Sequence, residues 1–199
     1  MKEILKLMLV LTSICFVAAL ALSQVYELTK EPIAYQKRLE VLRAIRVVLP
    51  EIDNEPDKDV IHLRSSDTAD GEPRDITFYR GRLNSDVVGI AFVVGSREGY
   101  GGTIDIMLGV DPQGSILGIE ILSHLETPGL GAKIIEGPFK QQFVGRSLEN
   151  TKWAVRKDAG DIDQITGATI SPRAVVKAIE RGLRVFDKNK AEILSAGAS

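Results

Sequence analysis

The strongest hydrophobic pattern lies near the start of the chain, where residues 7–22 read LMLVLTSICFVAALAL and carry no charge. Ile4 and Leu5 extend this run, because the long side chain of Lys6 can reach the membrane interface with its ammonium group. The run therefore approaches the ~20 apolar residues that a transmembrane helix needs. The sequence predicts a transmembrane anchor over residues 1–24.

A cleaved export signal is the alternative for the same segment. Ala19-Leu20-Ala21 resembles a small-x-small cleavage site, and Lys2 and Lys6 supply a basic start. A retained anchor is favoured because the run continues into a helical pattern without an intervening turn. Either alternative places the rest of the chain outside the inner membrane, and the early lysines orient a retained helix as a single pass with a periplasmic domain.

Apolar residues at helical spacing continue the pattern over residues 32–49. The recurring positions are Tyr35, Leu39, Leu42, Ile45 and Leu49. Pro32 suits the first turn of such a helix, and Pro50 ends the pattern. This helix would either dock on the sheet of the following domain, which is favoured, or contact a membrane partner. Residues 51–73 are rich in Asp, Glu, Pro, Ser and Asn and predict a loop, so residues 25–73 form a linker helix and loop.

Shorter runs with a period of two predict strands from residue 74 onward. Ile76 and Phe78 alternate with Thr and Tyr, whereas residues 87–94 (VVGIAFVV) are apolar throughout and predict a strand buried on both faces. Two further alternating runs, over residues 104–110 and 117–122, flank an Asp-Pro-Gln-Gly turn and predict a hairpin.

The pattern between this hairpin and the last helix is sparser. Phe139 and Phe143 lie four residues apart and predict a short helix. Trp153 and Val155 predict a further short strand.

The last helix carries the clearest start signal. Ser171 is expected to cap it, with Pro172 at its first position. One face of the helix is lined by Val175, Ile179, Gly182, Leu183 and Phe186. Strands followed by helices predict an α+β domain over residues 74–190, with a mostly antiparallel twisted sheet flanked by helices. Residues 191–199 are expected to form a C-terminal tail.

Composition excludes several classes of function. The formal net charge is −2 and the charges are scattered, so the chain lacks the electrostatic footprint of a nucleic-acid-binding protein. Cys15 is the only cysteine and lies in the apolar run, which excludes an intrachain disulfide and a cysteine-bound iron–sulfur cluster. His62 and His124 are far apart in the sequence, and no metal site is predicted.

The segment that can carry chemistry is Asp163-Gln-Ile-Thr-Gly-Ala-Thr169, which runs directly into the last helix. A helix N-terminus stabilises a phosphate by about 0.3–1 kcal/mol at an exposed site, through unpaired N–H groups and a partial positive charge. Gly167 and Ala168 let the backbone approach a bulky group closely. No histidine stands nearby in the sequence to activate the Thr169 hydroxyl, so self-catalysed attachment of a phosphate is not expected. An external transferase with Mg²⁺ could position the hydroxyl against a dinucleotide pyrophosphate. On these residues alone, an ordinary turn before a capped helix remains an open alternative.

The same segment resembles the D-x-x-[S/T]-G-A-[S/T] flavinylation motif of covalent FMN-binding domains. The wider chain resembles the G subunit of the Rnf ion-translocating electron transport complex, most firmly over residues 76–186. The matching pieces, in chain order, are Gly99-Tyr-Gly-Gly102, His124-Leu-Glu-Thr-Pro-Gly-Leu-Gly131, Phe139-Lys-Gln-Gln-Phe143 and Gly167-Ala-Thr-Ile-Ser171. Their order and the single N-terminal helix match as well.

The resemblance implies that FMN is bound covalently, with its phosphate esterified to the hydroxyl of Thr169. Thr166 is the chief competing hydroxyl, and Ser171 is the second. The other motif residues assigned to cofactor binding are Asp163, Thr166, Gly167 and Ala168. The resemblance also implies a flavin site lined by Glu126, Thr127, Gly129 and Leu130, with Tyr100 on a neighbouring loop.

The function implied by the resemblance is electron transfer without a substrate of its own. The protein would relay electrons among other membrane subunits of a ferredoxin:NAD-type complex that moves H⁺ or Na⁺, and a flavin transferase would act on it during maturation. The equivalent subunit of Na⁺-translocating NADH:quinone reductase is a close relative and one alternative. A stand-alone extracytoplasmic flavin reductase and an anchored scaffold without flavin are the others.

Overall fold

The computed structural model describes residues 2–49, 51–65 and 73–195. The helices and strands are α1 Lys2–Val48, β1 Val60–Ser65, β2 Arg74–Leu83, β3 Asp86–Ser96, β4 Ile104–Val110, β5 Ile116–Ser123, α2 Gly137–Gln141 and α3 Ile170–Ser195. Two short 3-10 turns lie at Gly131–Ile135 and Arg156–Asp158. The chain divides into two units, Met1–Glu40 and Val41–Ser199.

The first unit is helical and leaves its apolar side chains exposed. Large apolar residues from Ile4 to Leu28 have half or more of their surface accessible, apart from Val10, which is close to half. Within the described residues, α1 is the one helix that is long and apolar enough to cross a membrane. A signal sequence meets the same criterion of length and composition, so the choice between anchor and export signal stays a prediction.

The helix does not restart at Pro32. One continuous helix, α1, replaces the predicted anchor and separate linker helix, so the predicted helix start is wrong. A proline inside a helix removes one N–H donor and crowds the preceding turn. The neighbouring residues are mostly good helix formers such as Glu, Lys, Ala and Gln, and they sustain the helix on both sides.

The second unit is built on a five-stranded sheet in the order β1-β2-β3-β4-β5. Every neighbouring pair is antiparallel, which confirms the predicted fold class and the predicted hairpin of β4 and β5. The predicted loop over residues 51–73 is wrong for β1, which pairs with β2 at the edge of the sheet. Ile61 and Leu63 pack on the core while His62 and Arg64 are exposed, so β1 has the alternation of a half-buried strand.

One face of the sheet packs against α3. Phe78, Phe92 and Leu108 are fully buried there, and the rings of Phe92 and Phe186 stack with centroids 6.3 Å apart. The predicted inner face of the last helix is confirmed, because all five of its residues are buried. α3 ends at Ser195 and therefore extends into the residues predicted as a tail.

The other face of the sheet packs against the end of α1. Ile45 and Val48 form a second buried cluster with Ala91 and Met107, which confirms that this segment docks on the sheet. A Cβ on Gly109 would lie 2.5 Å from the carbonyl oxygen of Val48, so glycine lets the helix backbone approach the strand. Since both faces are covered, β3 is buried on both sides along its centre, as the apolar run predicts.

A substitution at Gly182 tests how tightly α3 packs on the sheet. A Cβ there would lie 2.3 Å from Val94 Cγ1, and valine has little freedom at χ1 to move away. Alanine favours a helix over glycine by about 0.8–1 kcal/mol, but overpacking costs about 1–3 kcal/mol. We therefore expect Gly182→Ala to lower the free energy of unfolding by about 1 kcal/mol in chemical denaturation of the detergent-solubilised chain.

Gly137 provides the matched control, because a Cβ at this position would meet no atom within 4 Å. Gly137→Ala is expected to leave the free energy of unfolding unchanged or slightly higher. An equal change in the free energy of unfolding in the two alanine variants would contradict close packing at Gly182.

The predicted strand at Trp153 and Val155 is wrong. Val155 makes a single parallel bridge with Ile162 inside an irregular segment. Both residues still serve the core: Val155 is fully buried, and the Trp153 ring stacks on Phe143 with centroids 6.5 Å apart. The predicted short helix is confirmed for Phe139, which is buried on α2, but α2 ends at Gln141 and the buried Phe143 lies in the turn that follows.

Candidate functional site

Three loops meet at one end of the sheet. β3 ends, β4 begins and β5 ends at this end, because consecutive strands of an antiparallel sheet run in opposite directions. The β3–β4 connection carries Gly99–Gly102, and residues 124–130 follow β5 directly. The segment 163–169 leads into α3.

The N-terminal half of α3 is held to the end of β3 by charged side chains. Lys177 Nζ lies 2.6 Å from Glu98 Oε2, and Arg181 lies 3.7 Å from Glu98 Oε1 and 3.4 Å from the carbonyl oxygen of Gly95. The hydrogen bond from Lys177 lowers the pKa of Glu98 below its ordinary value. These contacts bring the start of α3 beside the loops that follow β3 and β5.

A cavity of about 360 Å³ lies where the three loops meet. Its lining residues are Tyr100, Glu126, Thr127, Leu130, Gly131, Gly167, Ala168, Thr169, Ile170 and Ser171. Cavities of about 300–1,000 Å³ are typical of small-molecule and cofactor sites. The mouth is apolar and open, since Tyr100 is 73% exposed and Leu130 is 46% exposed.

Glu126 is the central polar residue of this cavity. It is only 5% exposed, and its two carboxylate oxygens accept hydrogen bonds from different loops. Oε1 accepts from the Gly101 N–H at 3.2 Å, and Oε2 accepts from the Ser171 hydroxyl at 2.5 Å. Among the described residues, no cationic side chain lies within ion-pair distance of this carboxylate. The hydrogen bonds to the Glu126 carboxyl group therefore come from uncharged donors, and they meet the requirement that a buried polar group be hydrogen-bonded.

The motif segment forms a tight turn before α3. The Ala168 N–H donates to the carbonyl oxygen of Ile165 at 3.0 Å, and Gly167 has φ +81°, as the third residue of a type II turn requires. Thr166 lies exposed in the turn, whereas Thr169 is half-buried in the cavity wall. The Thr169 carbonyl oxygen accepts from the Arg173 N–H at 3.3 Å, which places Thr169 at the N-cap position of α3.

Ser171 is therefore not the cap, and that prediction is wrong. It lies inside the first turn of α3, is 1% exposed, and directs its hydroxyl to Glu126 rather than to a backbone N–H. The long-range partner outcompetes local capping because a buried carboxylate needs donors on both oxygens.

The structure brings most of the predicted site residues together. Those in the cavity wall are Tyr100, Glu126, Thr127, Leu130, Gly167, Ala168 and Thr169. Three others lie outside the wall. Gly129 and Thr166 are exposed, and Asp163 pairs with Arg156 at 2.7 Å while its N–H donates to Gln142 Oε1 at 2.7 Å.

Three lining residues were not predicted as part of the flavin site: Gly131, Ile170 and Ser171, the last of which was predicted as a cap and a competing hydroxyl. A Cβ on Gly131 would lie 2.4 Å from Ser171 Oγ and 2.5 Å from Glu126 Oε2, so this glycine marks the contact between them. The available signal was the position of these three residues in the pieces over residues 124–131 and 167–171 that carry the family resemblance.

The ion pair of Asp158 and Arg173 links the segment before the motif to the first turn of α3. It is a two-point contact, with Nε to Oδ2 and Nη2 to Oδ1 both at 2.6 Å. The hydrogen bond from Arg173 lowers the pKa of Asp158 below its ordinary value. Because the folded-state pKa is lowered, the stabilisation is complete above the unfolded pKa of about 3.9 and is lost as the pH falls through the folded pKa.

We therefore expect Asp158→Asn to lower the Tm by a constant amount between about pH 7 and about pH 5, and by progressively less below about pH 4. Thermal unfolding followed by circular dichroism measures the difference. The pair is exposed, so salt at about 1 M should shrink the difference at neutral pH. A Tm difference that stays the same at every pH would contradict the assignment.

The comparisons with known proteins agree with this geometry. Residues 99–184 match the family described as FMN-binding domain. The fold resembles the crystal structure of NqrC from Shewanella oneidensis, with a TM-score of 0.62 and 18% identity over 81% of this chain and all of that chain. The C subunit of the Na⁺-translocating NADH-quinone reductase from Parabacteroides distasonis gives a TM-score of 0.56 at 17% identity, over 82% of this chain and 96% of that one. The fold and the matched segment define the second unit as an FMN-binding domain.

Curated relatives are much closer in sequence. The G subunit of the ion-translocating oxidoreductase complex of Aliivibrio fischeri is 38% identical over 93% of this chain and 91% of its own length. The protein of the same name from Cereibacter sphaeroides is 42% identical over 90% of this chain and 82% of its own length. The chain belongs to this family of G subunits, which confirms the resemblance seen in the sequence.

Proposed function

We propose that the chain is an electron-transfer flavoprotein subunit of an Rnf-type ion-translocating oxidoreductase complex, with FMN bound covalently at Thr169. The observation that carries the proposal is the meeting of Thr169, Glu126 and Leu130 in one cavity at the N-terminus of α3. Membership of the G-subunit family supports the complex and its electron transport. The 17–18% identity to NADH-quinone reductase subunits supports a shared fold rather than that function.

The residues present fit FMN. The cavity is lined mainly by apolar atoms that suit a ring system, and Leu130 can cover a ring face. The N-terminus of α3 offers N–H groups and a partial positive charge to a phosphate attached at its N-cap. FMN supplies acceptance and release of electrons singly or in pairs, and the chain supplies binding, orientation and electrostatics.

Attachment requires a second protein. The Thr169 hydroxyl is a weak nucleophile, and it makes no hydrogen bond to a histidine or any other base among the described residues. In the proposed step, an Mg²⁺-dependent transferase presents a flavin dinucleotide, and Thr169 Oγ bonds to the phosphorus on the riboflavin side. The pyrophosphate P–O bond breaks, AMP leaves with the bonding electrons, and the hydroxyl proton passes to a base of the transferase.

The open mouth supports a relay rather than turnover of a soluble substrate. Tyr100 and Leu130 are exposed at the rim, so another protein of the complex can approach the cavity directly. The proposed location is the inner membrane, with α1 retained as a single-pass anchor and the FMN-binding domain on the periplasmic side. A covalent link suits that side, because a cofactor lost there by dissociation would not be replaced from the cytoplasm.

Mass spectrometry of one peptide tests the proposal. Trypsin cleaves after Lys157 and Arg173 and releases residues 158–173, which contain both motif threonines. From native membranes we expect this peptide to carry riboflavin phosphate on Thr169, with yellow colour that survives denaturation. If the peptide is isolated from cells that express the transferase and carries no modification, the proposal of covalent FMN is wrong. The chain would then be an anchored domain without covalent flavin. Steady turnover of a soluble acceptor by the purified chain would favour a stand-alone reductase instead.

A further inference from the structure

One buried carboxylate joins the three loops that form the cavity. Glu126 follows β5, its Oε1 accepts from Gly101 in the β3–β4 loop, and its Oε2 accepts from Ser171 in the first turn of α3. The Ser171 bond spans 45 residues of sequence and is fully buried, so water does not compete for it.

Glycines enclose this carboxylate so closely that its position is fixed. A Cβ on Gly99 would lie 2.5 Å from Glu126 Oε1, and a Cβ on Gly131 would lie 2.5 Å from Oε2. A Cβ on Gly101 would lie 1.8 Å from the carbonyl oxygen of Leu125, the residue before Glu126. The loops therefore leave one position for the carboxylate, with both oxygens aimed at donors.

The Thr169 side chain has no polar restraint of its own. Its hydroxyl makes no hydrogen bond to any described residue. Ser171 follows two residues later in the same first turn, and its bond to Glu126 is the nearest side-chain restraint on that turn.

We infer that Ser171 is a positioning residue for flavin attachment: its hydrogen bond to Glu126 fixes the first turn of α3 and so holds the Thr169 hydroxyl toward the cavity. This role rests on the proposed function, in which Thr169 Oγ attacks the dinucleotide and AMP departs. Misplacing a reacting atom by about 1 Å costs up to about a hundredfold in rate. The bond also withholds the Ser171 hydroxyl from modification, since its proton is committed to Glu126.

The test measures the rate of attachment to the full-length chain. Protein produced without the transferase is purified in detergent and then mixed with the transferase, flavin adenine dinucleotide and Mg²⁺. Intact mass spectrometry gives the initial rate, at a temperature well below the unfolding midpoint of each variant. We expect Ser171→Ala to slow attachment about tenfold, and the attached flavin to show lower fluorescence anisotropy than in the wild type.

Glu126→Gln is the second variant. The glutamine oxygen can still accept from the Gly101 N–H, but the NH₂ can only donate, so the contact with Ser171 survives only as a reversed bond between neutral groups, in which the hydroxyl accepts. We expect its attachment rate to fall between those of the wild type and Ser171→Ala. If Ser171→Ala does not fold, Ser171→Cys takes its place, because a thiol is only a weak hydrogen-bond donor; a wild-type rate in that variant would overturn the inference.

Ser123→Ala is the matched control. Ser123 also donates to a carboxylate, Asp105 Oδ2 at 2.8 Å, but it is exposed and lies outside the cavity wall. Its attachment rate should equal that of the wild type. A Ser171→Ala rate within about twofold of the wild type, or an equal loss in Ser123→Ala, would overturn the positioning role. Wild-type protein that accepts no flavin at all would instead overturn the proposed function itself, and the positioning role with it.

Discussion

Thr169→Ala is expected to abolish covalent flavin while leaving the domain folded. The substitution removes the one oxygen to which the phosphate would be esterified. Its cost to stability should stay at or below about 1 kcal/mol, because the hydroxyl makes no hydrogen bond that the fold depends on. Intact mass spectrometry of protein co-expressed with a flavin transferase measures the modified fraction, which should fall from nearly complete to none.

Thr166→Ala is the control for this experiment. Thr166 is the competing hydroxyl of the same turn, but it is exposed and lies outside the cavity wall. This variant should keep the modification, and Thr169→Ser should keep it as well, since serine retains the attacking oxygen. Flavin mass persisting on Thr169→Ala, or lost from Thr166→Ala alone, would show that the assigned oxygen is wrong.

The sheet could be predicted where alternation was long and the turn chemistry was clear. β4 and β5 alternate on either side of an Asp-Pro-Gln-Gly turn, and both strands and their pairing are confirmed. β1 was missed because only Ile61 and Leu63 mark its inner face, in a region whose polar composition predicts a loop. The opposite error occurred at Val155, where two apolar residues with a period of two enter the core from an irregular segment.

The sequence predicted which residues belong to the candidate site, but not which hydrogen bonds join them. The motif and the breaker-rich loop identify Thr169 and Glu126, yet nothing local indicates that the same cavity receives both. Ser171 shows the limit most clearly. A serine before a proline at a helix start favours capping, and the competing partner lies 45 residues away in the sequence. The local preference of serine for the N-cap position is overridden here, because a buried carboxylate needs hydrogen-bond donors.

A second large effect is expected from Asp59→Ala, which should lower the free energy of unfolding by about 3 kcal/mol. Asp59 lies just before β1 and its carboxylate bridges two arginines of β2. Arg80, which is 2% exposed, pairs with Oδ1, and Arg82 Nε lies 2.5 Å from Oδ2. Removing one member of a buried ion pair costs about 3–5 kcal/mol, because a charge stays in a poorly solvated place. Chemical denaturation of the detergent-solubilised chain measures the loss.

The control is Asp86→Ala, at an exposed aspartate where β3 begins. A surface aspartate contributes about 0–1 kcal/mol, so the two variants should differ by at least about 2 kcal/mol. Similar losses in both would mean that the Asp59 cluster is solvated and does not hold β1 to the sheet.

The double variant Asp59→Leu with Arg80→Met separates charge burial from packing at this edge. Replacing a whole buried ion pair by apolar residues of similar volume is often neutral or stabilising, whereas removing one partner is not. We therefore expect the double variant to recover most of the stability that Asp59→Ala loses, although the guanidinium of Arg82 then keeps its hydrogen bond to the Ser85 carbonyl oxygen at 2.8 Å without its carboxylate partner. If the double variant is as unstable as Asp59→Ala, the cluster contributes through its hydrogen bonds to the loop before β1 rather than through charge pairing. Asn54 would then be the residue to test, because its side chain bonds the Arg82 N–H at 2.8 Å and the Arg80 carbonyl oxygen at 2.9 Å.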